Sequence, residues 1–179
     1  MLSMVFPKAK GPLSAILLLI GVAVVVGGLL VLYEVLGFSI GLTAFGSLFL
    51  LYWAGIQHQA WGEFMPSLIG GLVGIGLAWL LHTAPILWGS AGAAASFAVL
   101  AVVLYFYLRG EGALVVNNAS MLLLLVATIP ELRVGETAPK MAAALVIGAM
   151  WIGTISWVAD VSRRQLRGVR KWAHRGKSR

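Results

Sequence analysis

The chain has 179 residues, 60% of them hydrophobic and 11% charged, with a formal net charge of +7 and no cysteine. Soluble domains carry about 25% charged and roughly 45–50% apolar residues, so this composition belongs to the membrane class and excludes disulfides and thiolate metal sites. Eight of the thirteen basic residues follow Val161, an asymmetry that reports orientation across a bilayer more than a nucleic-acid partner.

The predicted fold is an all-α integral membrane protein: about six transmembrane helices in residues 1–160 and a basic amphipathic tail in 161–179. Crossing about 30 Å of hydrocarbon takes about 20 mostly apolar residues. The first such run is 12–33, "PLSAILLLIGVAVVVGGLLVLY". It exceeds a signal-peptide core of about 7–15 residues, and no small-residue cleavage pattern follows it. The second is 36–56, the third 64–82 and the fourth 86–108. The fifth, 112–129, is short and polar, and either spans or re-enters. The sixth is 138–160. Short punctuation joins them: Glu34 with Gly37, "QHQAWGE", "HTAP", "RGEG" and "PELRVGETAP". Six crossings place both termini on one side, with Lys8, Lys10, Arg109 and the tail; Arg133 and Lys140 lie opposite. The basic excess marks the cytoplasmic side.

Small residues recur four apart. Gly70, Gly74 and Ala78 share a face of the third span, Gly37 and Gly41 one of the second, and Gly89, Ala93 and Phe97 one of the fourth. Such faces let helix backbones approach closely. They serve packing within one chain or the seams of a homo-oligomer.

"VVNNASM" interrupts the fifth run with carboxamides and a hydroxyl. Unpaired in hydrocarbon, each such group costs several kcal/mol. Asn117, Asn118 and Ser120 therefore either line a path for a neutral polar solute or bond to neighbouring helices. Thr43, Ser47 and Ser67 are helpers on the second and third spans. "YWAGIQHQAWGEF" places Tyr52, Trp53 and Trp61 around His58 and Glu63. The plain reading is an interfacial aromatic belt. The functional one is a solute mouth, gated by His58 and Glu63 and narrowed by Trp53 or Trp61. One histidine between two glutamines is too poor in ligands for a metal.

In the tail, Leu166, Val169 and Trp172 share a loose apolar face beside Arg163, Arg164, Arg167, Arg170 and Lys171. That pattern fits an interfacial helix on anionic lipid, with no nucleic acid as partner. No metalloprotease, nucleophile-elbow, P-loop or dinucleotide motif occurs. No catalytic residue, metal or cofactor is expected, and no enzyme. No Asp or Glu falls at mid-span, which argues against an ion-coupled pump.

From about Gly37 to Asp160 the chain resembles a family of small bacterial inner-membrane proteins known mainly as a domain of unknown function. The resemblance rests on "GFSIGLTAFGSLF", on "SLIGGLVGIGLAW", and on a short polar fifth segment followed by "APKMAAALVIGAMWIG". It implies a multi-pass protein of the bacterial inner (cytoplasmic) membrane, both termini cytoplasmic, with no established chemistry. "NNAS" and the long basic tail depart from the family pattern. Size and architecture are also similar to channels for urea and short amides, without shared residues.

The sequence thus leads to two expectations. One is a homo-oligomeric channel or facilitator for a small neutral polar solute. The other is a non-transporting accessory or assembly subunit of a membrane complex. They divide on whether the amide and hydroxyl groups of the fifth segment border a wet passage or are occupied by neighbouring helices.

Overall fold

The structure, a computed structural model, describes residues 12–133 and 136–175. Among them every regular element is helical. Helix α1 is Pro12–Val35. A 3-10 turn, Ile40–Leu42, leads into α2, Thr43–Leu50, which widens into a π-helical turn, Leu51–Ile56. A second 3-10 turn, Trp61–Glu63, opens α3, Phe64–Arg109. Then come α4, Asn118–Ala127, the short α5, Pro130–Arg133, and α6, Ala138–Arg175.

The turn predicted at "HTAP" is helical, and Pro85 sits inside α3. A proline removes one backbone donor and kinks a helix without reversing it. The reversal falls at Gly89, whose φ of 59° and ψ of −137° are non-helical and open in practice only to glycine. Contacts at both ends show that α3 folds back on itself. A Cβ on Gly92 would overlap the carbonyl oxygen of Ala84. Asn117 bonds Pro66, and its neighbour Asn118 bonds Tyr107; a straight helix would hold Pro66 and Tyr107 about 61 Å apart. The third and fourth predicted spans are therefore two antiparallel arms of one hairpin, 64–88 and 90–109.

Hydropathy predicts six spans. Among the described residues, two helical stretches are long and apolar enough to cross a membrane, Trp61–Arg109, counted across its hinge, and Ala138–Ser162. Leu19–Val35 within α1, Ile40–Ile56 and Asn118–Ala127 are apolar but shorter. Local causes explain the differences. The second segment is a 3-10, α and π relay rather than one regular helix. The fifth begins late because Gly110 and Gly112 take positive φ and Asn117 is extended. Its ten residues reach about 15 Å. The sixth runs past its predicted end at 160 as one helix to Arg175, through Gly168.

The core forms where glycines remove side-chain bulk. Gly46 of α2 and Gly148 of α6 meet backbone to backbone, beside the Tyr33 ring of α1. Tyr33 is buried and its hydroxyl donates to the Ala144 carbonyl at 2.5 Å. On α3, Gly71 faces Leu145 and Leu123, and Gly74 faces the backbone of Ser120 and Leu124. The Trp151 indole donates to the Val25 carbonyl at 3.0 Å. These contacts give the directions: α2 and α6 run parallel, and α1, the first arm of α3 and α4 run against them. One end of the bundle gathers residues 57–63 and 110–117. The other gathers 36–42, 84–90 and 128–137.

The Gly70, Gly74 and Ala78 face is therefore packed inside the chain. The Gly89, Ala93 and Phe97 line is not a packed face, since Gly89 is the hinge and Phe97 is 64% exposed. The second arm of α3 meets the bundle through a single stripe, Gly92, Ser96, Leu100 and Val103. Around that stripe Val102 and Leu108 stand exposed, Leu108 at 83%.

Candidate functional site

Helix α4 must start abruptly, because the turns at Gly110 and Gly112 lead straight into it. Its first N–H groups need partners. Asn117 supplies them. Its Oδ1 accepts from the amides of Ala119 at 3.0 Å and Ser120 at 3.2 Å. Ser120 completes a capping box: its Oγ accepts from the Asn117 amide at 3.0 Å and donates to the Asn117 carbonyl at 2.6 Å. Asn117 Nδ2 donates to the carbonyls of Pro66 at 2.7 Å and Ala113 at 3.0 Å. A carboxamide has two donors and two acceptor lone pairs, and all are engaged. The carboxamide occupies the space where a Cβ on Gly70 would sit, so the third-span glycine is what admits the cap. Pro66 and Gly70 lie in the first two turns of α3, so this latch sits near one end of the bundle rather than at its middle.

Of the other predicted path residues, Ser120 and Ser67 lie at the Asn117 end, and Thr43 does not. Asn118 is exposed and accepts from the Tyr107 hydroxyl at 2.6 Å. Ser67 is buried near the start of α3. Thr43 belongs to the opposite end, next to Gly41 and Leu132, and its hydroxyl donates to the Ile40 carbonyl at 2.6 Å. Ser47 lies half-buried on α2 between them.

The predicted mouth is an aromatic knot. Trp53 is fully buried; its ring meets Trp61 and Phe64 edge-on, at centroid distances of 5.2 and 4.9 Å. Its indole N–H donates to the Ala60 carbonyl at 3.0 Å. The π turn carries the chain into two successive left-handed residues, His58 at φ 51° and Gln59 at φ 58°. Each such residue costs roughly 1–2 kcal/mol. The turn is tied by Gln59 N to the Trp53 carbonyl at 2.9 Å and by Gln57 Nε2 to the Tyr52 hydroxyl at 3.0 Å. Its loose end is Gln59 Nε2, buried without a hydrogen-bond partner among the described residues. His58 and Glu63 are exposed, and Glu63 opens α3 without a side-chain cap bond. The side chains of Arg163, Arg164, Arg167, Arg170, Lys171 and Trp172 lie outside what the structure describes.

The recess is at the opposite end. A half-open cleft of about 560 Å³ lies between the first arm of α3, the end of α4 and the start of α6. Ile75, Ala78, Ala127 and Met141 make its apolar floor, and all four are buried. Trp79 and His82 stand on one wall, both exposed. Thr83, Thr128 and Thr137 bring hydroxyls, of which Thr128 donates to the Leu125 carbonyl at 2.7 Å. Glu136 is the acid. Its side chain is only 10% exposed, and Oε2 stands 3.4 Å from Lys140 Nζ without forming a hydrogen bond. At 560 Å³ the volume falls within the range of small-molecule sites, about 300–1,000 Å³.

None of the predicted path or mouth residues lines this cleft. Glu136 belongs to the connection "PELRVGETAP"; here its side chain is 10% exposed, two residues before the start of α6. His82 stands far from the other histidines in sequence, and the cleft residues it meets outside its own helix come from segments 45 and more residues away. The available signal was the density of threonine and proline in "HTAP" and "GETAP", two connections at the same end of the bundle. Among the described residues, no three His, Cys, Asp or Glu side chains group to hold a metal ion. No protein-family model, curated protein or solved structure matches this chain.

Proposed function

We propose that the chain is a multi-pass membrane protein that acts as a non-transporting accessory or assembly subunit, its six hydrophobic segments forming one lipid-embedded bundle. The hydropathic window of Trp61–Arg109 is only 11% buried, which sets it apart from the core helix of a soluble protein. Exposed tryptophans stand toward both ends, Trp61 and Trp157 at one and Trp79 and Trp88 at the other. Trp61 and Trp79 are about 27 Å apart along the helix, close to the hydrocarbon thickness that separates aromatic belts. With the basic termini cytoplasmic, the tail meets anionic lipid and the cleft opens on the opposite face. The resemblance stated above carries the inner-membrane location.

One observation carries the accessory reading over the conduit. Every donor and acceptor of the Asn117 carboxamide is committed within the chain, so the central carboxamide of the polar interruption has a complete structural use. The test is flux. Proteoliposomes holding the purified chain should swell in urea or acetamide no faster than empty ones. Flux above background that is lost in a folded Asn117→Leu variant overturns the reading. Topology is tested separately. The chain has no cysteine, so Gly62→Cys, Ser90→Cys and Glu111→Cys each add one thiol. An impermeant maleimide should reach Gly62→Cys and Glu111→Cys from one side and Ser90→Cys from the other.

The second reading is a homo-oligomeric facilitator for a small neutral polar solute. The cleft favours it, with three hydroxyls and His82 over an apolar floor. The solute would enter there, and passage toward Asn117, Asn118 and Ser120 would require α4 to part from the first arm of α3.

A further inference from the structure

We propose that the cleft is a binding site for a small organic ammonium, with Glu136 as its anionic anchor and Lys140 as an exchangeable placeholder. The inference holds whether or not the bundle conducts, because it concerns only the far end.

A carboxylate nine-tenths buried needs compensation by charge and by hydrogen bonds. Glu136 has the first only in loose form. The Lys140 ammonium is 3.4 Å away, where a charge-assisted bond closes to about 2.7–2.9 Å. Among the described residues, Oε2 has no hydrogen-bond partner. Lys140 lies one turn further on, with its side chain 58% exposed, so its ammonium is free to withdraw into water. The exchange therefore leaves neither charge stranded: the incoming ammonium takes the carboxylate, and lysine is solvated.

The rest of the cleft suits the same ligand. Trp79 lines the cleft, and an indole ring attracts cations by about 0.5–2 kcal/mol. Thr83 and Thr137 offer hydroxyl oxygens to the remaining N–H groups. Ile75, Ala78 and Met141 make an apolar floor for a short alkyl stem. An anion would meet the Glu136 charge, and a neutral amide would leave that charge without a counterion once lysine moved.

The experiment is calorimetric titration of the full chain in lipid nanodiscs with n-propylammonium, butyramide and butyrate. Propylammonium should bind and the other two should not. Glu136→Gln should weaken propylammonium at least tenfold. Lys140→Met should strengthen it severalfold, because the placeholder is gone, and propylammonium should raise the thermal midpoint of that variant more than that of the parent chain. The opposite signs separate a site from a folding defect. Equal binding of butyramide, or propylammonium binding that ignores both substitutions, overturns the proposal and points to a neutral solute. No binding of any of the three overturns it as well.

Discussion

Asn117 and Glu136, at opposite ends of the bundle, are held in opposite ways. At the Asn117 end, one carboxamide makes four hydrogen bonds, and a glycine opposite it supplies the room. At the Glu136 end, a buried carboxylate keeps a long contact to a lysine that water can reach. The first arrangement is what stability requires of a polar group in an apolar setting. The second leaves interaction capacity unused, and unused capacity is where a ligand has something to gain.

That contrast can be broken by substitution. The largest effect should come from Gly74→Leu. A Cβ there overlaps the Ser120 carbonyl, a backbone group that cannot step aside. Overpacking of this kind costs about 3 kcal/mol, and the variant should lose its monodisperse form in detergent. Gly76→Leu, with open space around its Cβ, should unfold like the parent. Next, Asn117→Ala removes the cap and strands two amides, which should cost about 2 kcal/mol in denaturant unfolding. Asn117→Asp keeps the acceptors and loses the donors, so it should fall between. At the far end, Glu136→Gln should shift unfolding by less than about 1 kcal/mol, as expected for a pair with one exposed partner. His82→Ala should change it by less than about 0.5 kcal/mol. If Glu136→Gln proves as damaging as Asn117→Ala, the two ends are alike and the cleft is architecture.

Much of the helical layout is legible in the sequence, because hydropathy runs and glycine spacing act locally. The run 12–33 is α1 to within two residues, and the start of α6 falls at Ala138 as expected. The reversal of the hairpin is harder. "HTAP" has the look of a turn, while "WGSAG" has the composition of a helix face, and only the sign of φ at Gly89 distinguishes them. Asn117 was legible as one of two alternatives. A capping box is recognisable once the helix start is known, but "GALVVNNASMLLLL" is apolar on both sides, so hydropathy does not mark that start. Glu136 was not legible, since its burial depends on α4, α6 and the first arm of α3 meeting around it.

The tail offers a smaller lesson. Its composition suits a helix lying flat on lipid, yet α6 is continuous from Ala138 to Arg175, about 57 Å. The backbone gives that segment the direction of the helix before it.

Gly89 has a reach out of proportion to its size. Were it helical, α3 would be a single rod of about 69 Å, more than twice the thickness of a bilayer's hydrocarbon core, and it would not fold back. If the bundle spans a membrane as proposed, all that follows, from the Asn117 latch to the cleft acid and the basic tail, would then lie on the other side. The conformation of Gly89 thus decides whether the later helices return along the bundle.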